Sequence, residues 1–215
     1  MRITKFVLAL LLSLSLFSCK GSTGGDDDSA SAEEIVKSLF AEGCPIPGQA
    51  TAKLITSAAF GVEGPDGLGR AGDYLLMNEK AAFVISGTGT VNTYYYYGGI
   101  PIDAVALDGC SQAGPEQFQE VGLMLGSLDL GNFANSYLRA FRGDWAEVLN
   151  DGSDGQPAVV RVHGTDDTFW LTELELLLML YDMGEPQPPS APKNLDIYVD
   201  YILTPDSNVC LLYTS

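Results

Sequence analysis

A chain of 215 residues, 46% of them apolar, can bury one sizeable core or two small ones and is not disordered as a whole. Its 28 Asp+Glu against 11 Lys+Arg leave a net charge of −17, which excludes nucleic acid as a partner because a phosphate binder needs a basic face. With a single histidine, a His-based zinc site or a Ser-His-Asp triad is hard to assemble.

Arg2 and Lys5 form a basic start, and Phe6 to Phe17 runs apolar, broken only by Ser13 and Ser15. The run is too short to span a bilayer and has the form of an export signal. It ends in Leu16-Phe17-Ser18-Cys19, which resembles the lipobox of bacterial lipoproteins, although Phe17 stands where the pattern usually has a small residue. By that resemblance residues 1–18 are a signal peptide, and Cys19 carries a diacylglycerol thioether as the mature N-terminus. An ordinary secretory signal with a stray cysteine is the alternative. Lys20 after the cysteine favours the outer membrane by the sorting preference of such lipoproteins.

Residues 19–32 form the lipidated cysteine and a linker. Lys20 to Ala32 holds no apolar residue larger than Ala, so it is a tether spanning roughly 20 Å. Its Asp26-Asp27-Asp28 run is a solvated, self-repelling segment rather than a calcium patch. Removing residues 1–18 leaves 9 Lys+Arg against 28 Asp+Glu, or −19. Such a chain is repelled by anionic headgroups, so lipid on Cys19 is the expected membrane anchor.

Residues 33–215 are expected to form a mainly β domain with a few short helices, a β-sandwich or supersandwich. Ser31-x-x-Glu34 is a capping box, and Ile35, Val36, Leu39 and Phe40 follow at helical spacing, ended by Gly43. Thr51 to Phe60 suits a strand, and Gly61 to Gly72 is a glycine-rich loop. Tyr74–Met77 and Ala81–Ser86 flank Asn78-Glu79 as a hairpin whose turn lacks the favoured Asn-Gly.

Thr88 to Tyr97 is β-branched and aromatic. Gly98-Gly99 interrupts it before strand-like character resumes over Ile100–Leu107. Alternate tyrosines of Tyr94–Tyr97 share a face in a strand, so two enter the core while Tyr94 and Tyr96 line a surface. A short helix is expected near Glu116–Leu125. Trp145–Leu149 and Ala158–His163 form a hairpin around Asn150–Pro157, with Val160 and Val162 inward and Arg161 and His163 outward. Phe169–Met183 has the pattern of a mostly buried helix, and Pro186–Pro192 of a connector. Asp196–Leu203 alternates, with Ile197, Val199, Tyr201 and Leu203 on one face.

The Gly64–Asn78 stretch, Phe83-Val84-Ile85, Gly98–Asp103, Asn150–Gly155 and Val160–Gly164 resemble the N-terminal region of large bacterial surface lipoproteins. Several of these carry carboxypeptidase-regulatory-like β-modules or a PHP-type metallohydrolase further downstream. Ile197–Asp206 resembles a strand of galactose-mutarotase-like supersandwiches. Neither resemblance supplies a catalytic residue. The last residues, Val209 to Ser215, resemble a tail that recurs on translated environmental gene fragments, where it comes from adapter read-through. By that resemblance the natural protein continues past Val209, the chain is truncated, Cys210 is spurious, and Cys44–Cys110 become the natural disulfide pair. A genuine terminal strand over Cys-Leu-Leu-Tyr-Thr is the alternative.

No catalytic residue is assigned, and no cofactor is expected. Asp151 and Asp154 have the polarity of a calcium loop but lack its spacing and distal Glu, and a hairpin turn explains them more simply. His163, Asp166 and Asp167 are a weak metal set. Asp73 and Asp103 each adjoin an apolar run and are a guessed carboxylate pair of the glycosidase type. The expected function is a lipid-anchored, non-catalytic scaffold or carbohydrate-facing module of a larger surface protein, with a glycan or cell-surface partner. The alternative is a fragment of a secreted enzyme, either a sugar-active supersandwich or a metallohydrolase.

Overall fold

The structure, a computed structural model, describes residues 35–89, 94–127, 137–168 and 193–215. Among these the fold is mainly β. A first antiparallel sheet is a meander of β1 (Thr51–Leu54), β2 (Tyr74–Met77), β3 (Ala81–Ile85), β4 (Pro101–Asp108) and β5 (Ser111–Gln112), in that spatial order. A second contains β6 (Met124–Ser127), β7 (Tyr137–Asn150), β8 (Ala158–Thr168), β9 (Ile197–Leu203) and β10 (Cys210–Thr214), again neighbour to neighbour. A short 3-10 helix, Leu39–Glu42, precedes them, capped by the Ser38 hydroxyl accepting from the Phe40 N–H.

The two sheets share one core. Ala52, Leu76 and Ile85 of the first pack with Phe141, Val160, Val162, Val199, Tyr201 and Leu203 of the second. The far face of the first sheet is buried as well, with Leu75, Met77, Ala82 and Val84 lying under Leu39, Ile55, Phe60 and Val62. Burial on both faces explains why β2 and β3 are continuous apolar runs, whereas the one-sided strand β8 alternates. In β8, Val160 and Val162 are wholly buried, while the Arg161 and His163 side chains keep 32% and 22% of their exposure.

Asn78 links the β2–β3 turn to the other sheet. Its Oδ1 accepts from the N–H groups of Lys80 and Ala81, and its Nδ2 donates to the carbonyls of Thr204 (2.9 Å) and Ser207 (2.6 Å). The side chain replaces the missing Asn-Gly turn chemistry and leaves no buried polar atom of its own unpaired. Tyr201 adds a second tie, its buried hydroxyl donating to the Gly99 carbonyl at 2.8 Å.

Several expected elements differ. The helix over residues 31–43 is reduced, among the described residues, to the single 3-10 turn. The strand over Thr51–Phe60 ends at Leu54: Ile55 still bonds Asp73 and Gly72, but the N–H groups of Thr56 and Ser57 are taken by the Glu42 carboxylate and leave the ladder. Glu116–Leu125 is not helical. The Glu116 N–H donates to the Glu63 carbonyl and the Val121 N–H to Pro101, so the segment runs extended beside β4 until it enters β6. Among its described residues, Thr88–Tyr97 contains no strand, and the helix over Phe169–Met183 lies outside the described residues.

Candidate functional site

The glycine-rich loop lies on two buried aspartates. Asp103, 1% exposed, accepts from the N–H groups of Leu68 (2.9 Å) and Gly69 (2.7 Å). Asp73, 4% exposed, accepts from Arg70 (2.9 Å) and Gly87 (2.7 Å). Burial raises both carboxyls above the usual carboxylate range, and these N–H donors pull them partly back. All four oxygens are engaged and shut away from solvent, so the two residues fasten a loop and do not face a glycosidic bond. Gly69 is required for this, since a Cβ there would stand 2.7 Å from Asp103 Oδ2.

Glu116 is buried beneath the same loop at 1% exposure. Burial raises its carboxyl, the nearby Asp103 and Asp66 charges add to the effect, and the backbone N–H groups of Phe118 and Ala104 pull it partly back. Among the described residues no group of three or more His, Cys, Asp or Glu side chains is placed to hold a metal ion.

The proposed metal ligands are dispersed. Asp166 is buried against Arg139 and accepts from the N–H groups of Lys193 (2.8 Å) and Leu195 (2.9 Å). Asp167 pairs with Arg142, and His163 reaches Asp196 at 2.5 Å. Asp166 points to the opposite face of β8 from His163 and Asp167, and those two stand two rows apart along the strand, so the three do not converge. Asp151 and Asp154 each accept from the N–H two residues on, at 2.9 Å, as side-chain turns around Gly152 and Gly155, both at φ +77°. Cys44 and Cys110 are joined with their Cα atoms 5.3 Å apart, beside a cavity of about 300 Å³ lined by Ser38, Phe40, Glu63 and Gln112. Cys210 is the free cysteine among the described residues, its thiol pushed up to about 11 by burial.

Tyr94–Tyr97 divide between interior and solvent. Tyr95 is 4% exposed, and its hydroxyl donates to the Leu123 carbonyl and accepts from the Phe141 N–H at 2.8 Å. Tyr94 and Tyr96 are 68% and 53% exposed. Tyr96 lies at φ +76°, a conformation that a bulky side chain adopts only under constraint.

The outer face of the second sheet carries residues that the sequence reading left unconnected. Strand register aligns Trp145, His163 and Tyr198 across β7, β8 and β9. The Trp145 and His163 rings stack at 5.3 Å, and His163 and Tyr198 lie tilted at 4.8 Å. The next outward row is Glu147, Arg161 and Asp200. Arg161 grips Asp200 with two 2.7 Å bonds and lies 5.6 Å from the Tyr198 ring centre. The available signal was the outward register of β8 and β9, which places His163 and Arg161 beside Tyr198 and Asp200 once those strands are paired.

No protein-family model, no curated protein and no solved structure matches the chain.

Proposed function

We propose that this chain is an exported β-sandwich module, held at the outer membrane or cell surface by lipid on Cys19, whose body is a non-catalytic binding module facing carbohydrate. The reading also takes it as part of a larger surface protein. The observation that carries it is the tyrosine segment: Tyr95 is anchored in the core so that Tyr94 and Tyr96 stand in solvent, one of them in a strained backbone conformation. Exposed, rigid aromatic rings with few torsions suit the apolar faces of sugar rings at little entropic cost. Sealing of Asp73 and Asp103 beneath the loop supports a binding role over hydrolysis.

The test is a screen of the full chain, purified in detergent, against soluble neutral and acidic glycans, with and without calcium. Binding without turnover supports the proposal. Turnover of any glycan, or the absence of binding throughout, overturns it. Cys19→Ala is expected to abolish lipid labelling in the producing cell, and labelling that survives removes the anchor.

A further inference from the structure

The Cys44–Cys110 bond lies at the surface. Both cysteines are exposed, and the bond joins the segment after the 3-10 turn to the turn between β4 and β5. Cys110 also lines the cavity of about 300 Å³, a volume at the small end of ligand pockets. The cavity walls are held by bonds other than the disulfide. The Glu63 N–H donates to Gln112 Oε1 at 3.1 Å, and Gln112 Nε2 donates back to the Glu63 carbonyl. The Ser38 N–H donates to the Ala59 carbonyl at 2.7 Å, and the Gly61 N–H donates to the Ser38 carbonyl at 3.1 Å. The segment leading to Cys44 is likewise tied down. Leu39 sits in the core at 2% exposure, and the Glu42 carboxylate accepts from the N–H groups of Thr56 and Ser57. Opening the disulfide leaves all of these ties in place. A cation stands next to Cys44: Lys53 Nζ donates to the Glu42 carbonyl and would lie 3.9 Å from a Cβ on Gly43, the preceding residue. A neighbouring ammonium stabilises a thiolate.

We propose that Cys44–Cys110 is a thiol-exchange site for small thiols without negative charge, entered through the cavity at Cys110. The thiolate of the incoming molecule attacks Cys110 Sγ. A new S–S bond forms there as the Cys110–Cys44 bond breaks, and the electron pair leaves on Cys44 Sγ, beside Lys53. A second thiolate attacks the incoming sulfur of the mixed disulfide and releases Cys110. Two small thiols are thereby oxidised to one disulfide, the protein bond is reduced to two thiols, and the two protons pass through water to the cysteines. Exposed disulfides are the labile ones, whereas buried structural bonds resist exchange. Charge selects the reagent: among the residues lining the cavity Glu63 carries the charge, on a chain of net charge −17, so a thiol bearing a carboxylate is repelled.

The test treats the full chain in detergent with cysteamine, mercaptoethanol or mercaptoacetate, traps freed thiols with iodoacetamide and maps the peptides by mass spectrometry. The first trapped species is expected to carry the incoming thiol on Cys110 and the alkyl group on Cys44, with the far-UV circular dichroism of the parent. Corrected for the thiolate fraction of each reagent, opening is expected to be about fivefold faster with cysteamine than with mercaptoacetate at low salt, and intermediate with mercaptoethanol. Glu63→Gln is expected to lower the cysteamine-to-mercaptoacetate ratio roughly threefold. High salt is expected to lower it in the parent as well, a measurement that needs no variant to fold. A first adduct on Cys44 overturns the direction of attack. A bond that opens only after urea has unfolded the chain overturns the site and makes the disulfide purely structural. A ratio unmoved by both Glu63→Gln and salt overturns the selection by charge.

Discussion

Opening the Cys44–Cys110 disulfide by replacing both residues with alanine isolates how much of the stability comes from the unfolded chain. The bond closes a loop with a sequence separation of 66, and that loop contains β1, β2, β3 and all of β4. Loop-closure entropy for such a length gives about 4.3 kcal/mol at 25 °C. Both cysteines are exposed, so their replacement leaves no core cavity and the loop term is nearly the whole effect. A loss of that size in a domain of this length lowers the thermal midpoint by about 9–17 °C. Urea unfolding followed by far-UV circular dichroism is the assay. The midpoint is expected to fall, and the m-value to rise slightly because the unlinked unfolded chain exposes more surface. A loss under about 1 kcal/mol with an unchanged m-value would refute the loop-entropy argument. Native-state thiol counting that finds Cys44 and Cys110 reactive would remove its premise.

Three other outcomes follow from buried groups. Burial raises the Glu116 carboxyl above its ordinary 4.5, so the folded state binds that proton more tightly and stability falls as pH rises from 4.5 through the native value. Glu116→Gln is expected to remove this slope, leaving the variant more stable than the parent near neutral pH but not below 4.5. Equal gains at both pH values would mean that ionisation is not the cause. Arg139→Met strands the buried Asp166 carboxylate with only its backbone donors, at an expected cost of about 3 kcal/mol or more in urea unfolding. Val162→Ala removes wholly buried methyl groups and is expected to cost about 2 kcal/mol, whereas Trp145→Ala, on the opposite face, is expected to cost under about 1 kcal/mol. Equal losses in thermal unfolding would make Trp145 a packing residue.

Much of the β framework was legible because a two-residue period is a local property. Val160 and Val162 on β8, and Ile197, Val199, Tyr201 and Leu203 on β9, all turn inward as their alternation predicts. The hairpin between Tyr74–Met77 and Ala81–Ile85 was visible from its apolar runs, but the reason its turn holds was not. Asn78 is satisfied by carbonyls at Thr204 and Ser207, far along the chain. The same non-local bonding defeated the helix expected at Glu116–Leu125. Its backbone groups are claimed by Glu63 and Pro101, and local propensity gives way to a partner brought up by the fold. Asp73 and Asp103 drew attention as acids beside apolar runs. Their partners are backbone amides of a glycine-rich loop, a role that side-chain identity alone does not distinguish from catalysis.

The candidate site was harder to read because its parts are assembled by register and by an edge. Tyr94 and Tyr96 can be marked as outward rings from alternation alone, yet that segment is no strand. What turns Tyr96 outward is the anchoring of Tyr95, whose ring lies so close to Gly122 that a Cβ there would stand 2.2 Å from it. Trp145, His163 and Tyr198 belong to three strands and become neighbours only through two antiparallel registers and a bulge. The inner row Ala146–Val162–Val199 at the same height is packed into the core and holds the sheet together. The outer row adds only cross-strand contacts, each worth about 0.2–1 kcal/mol. The sheet can therefore lose an outer ring and remain folded. That separation of burdens between its two faces lets the outer row change without loss of the fold.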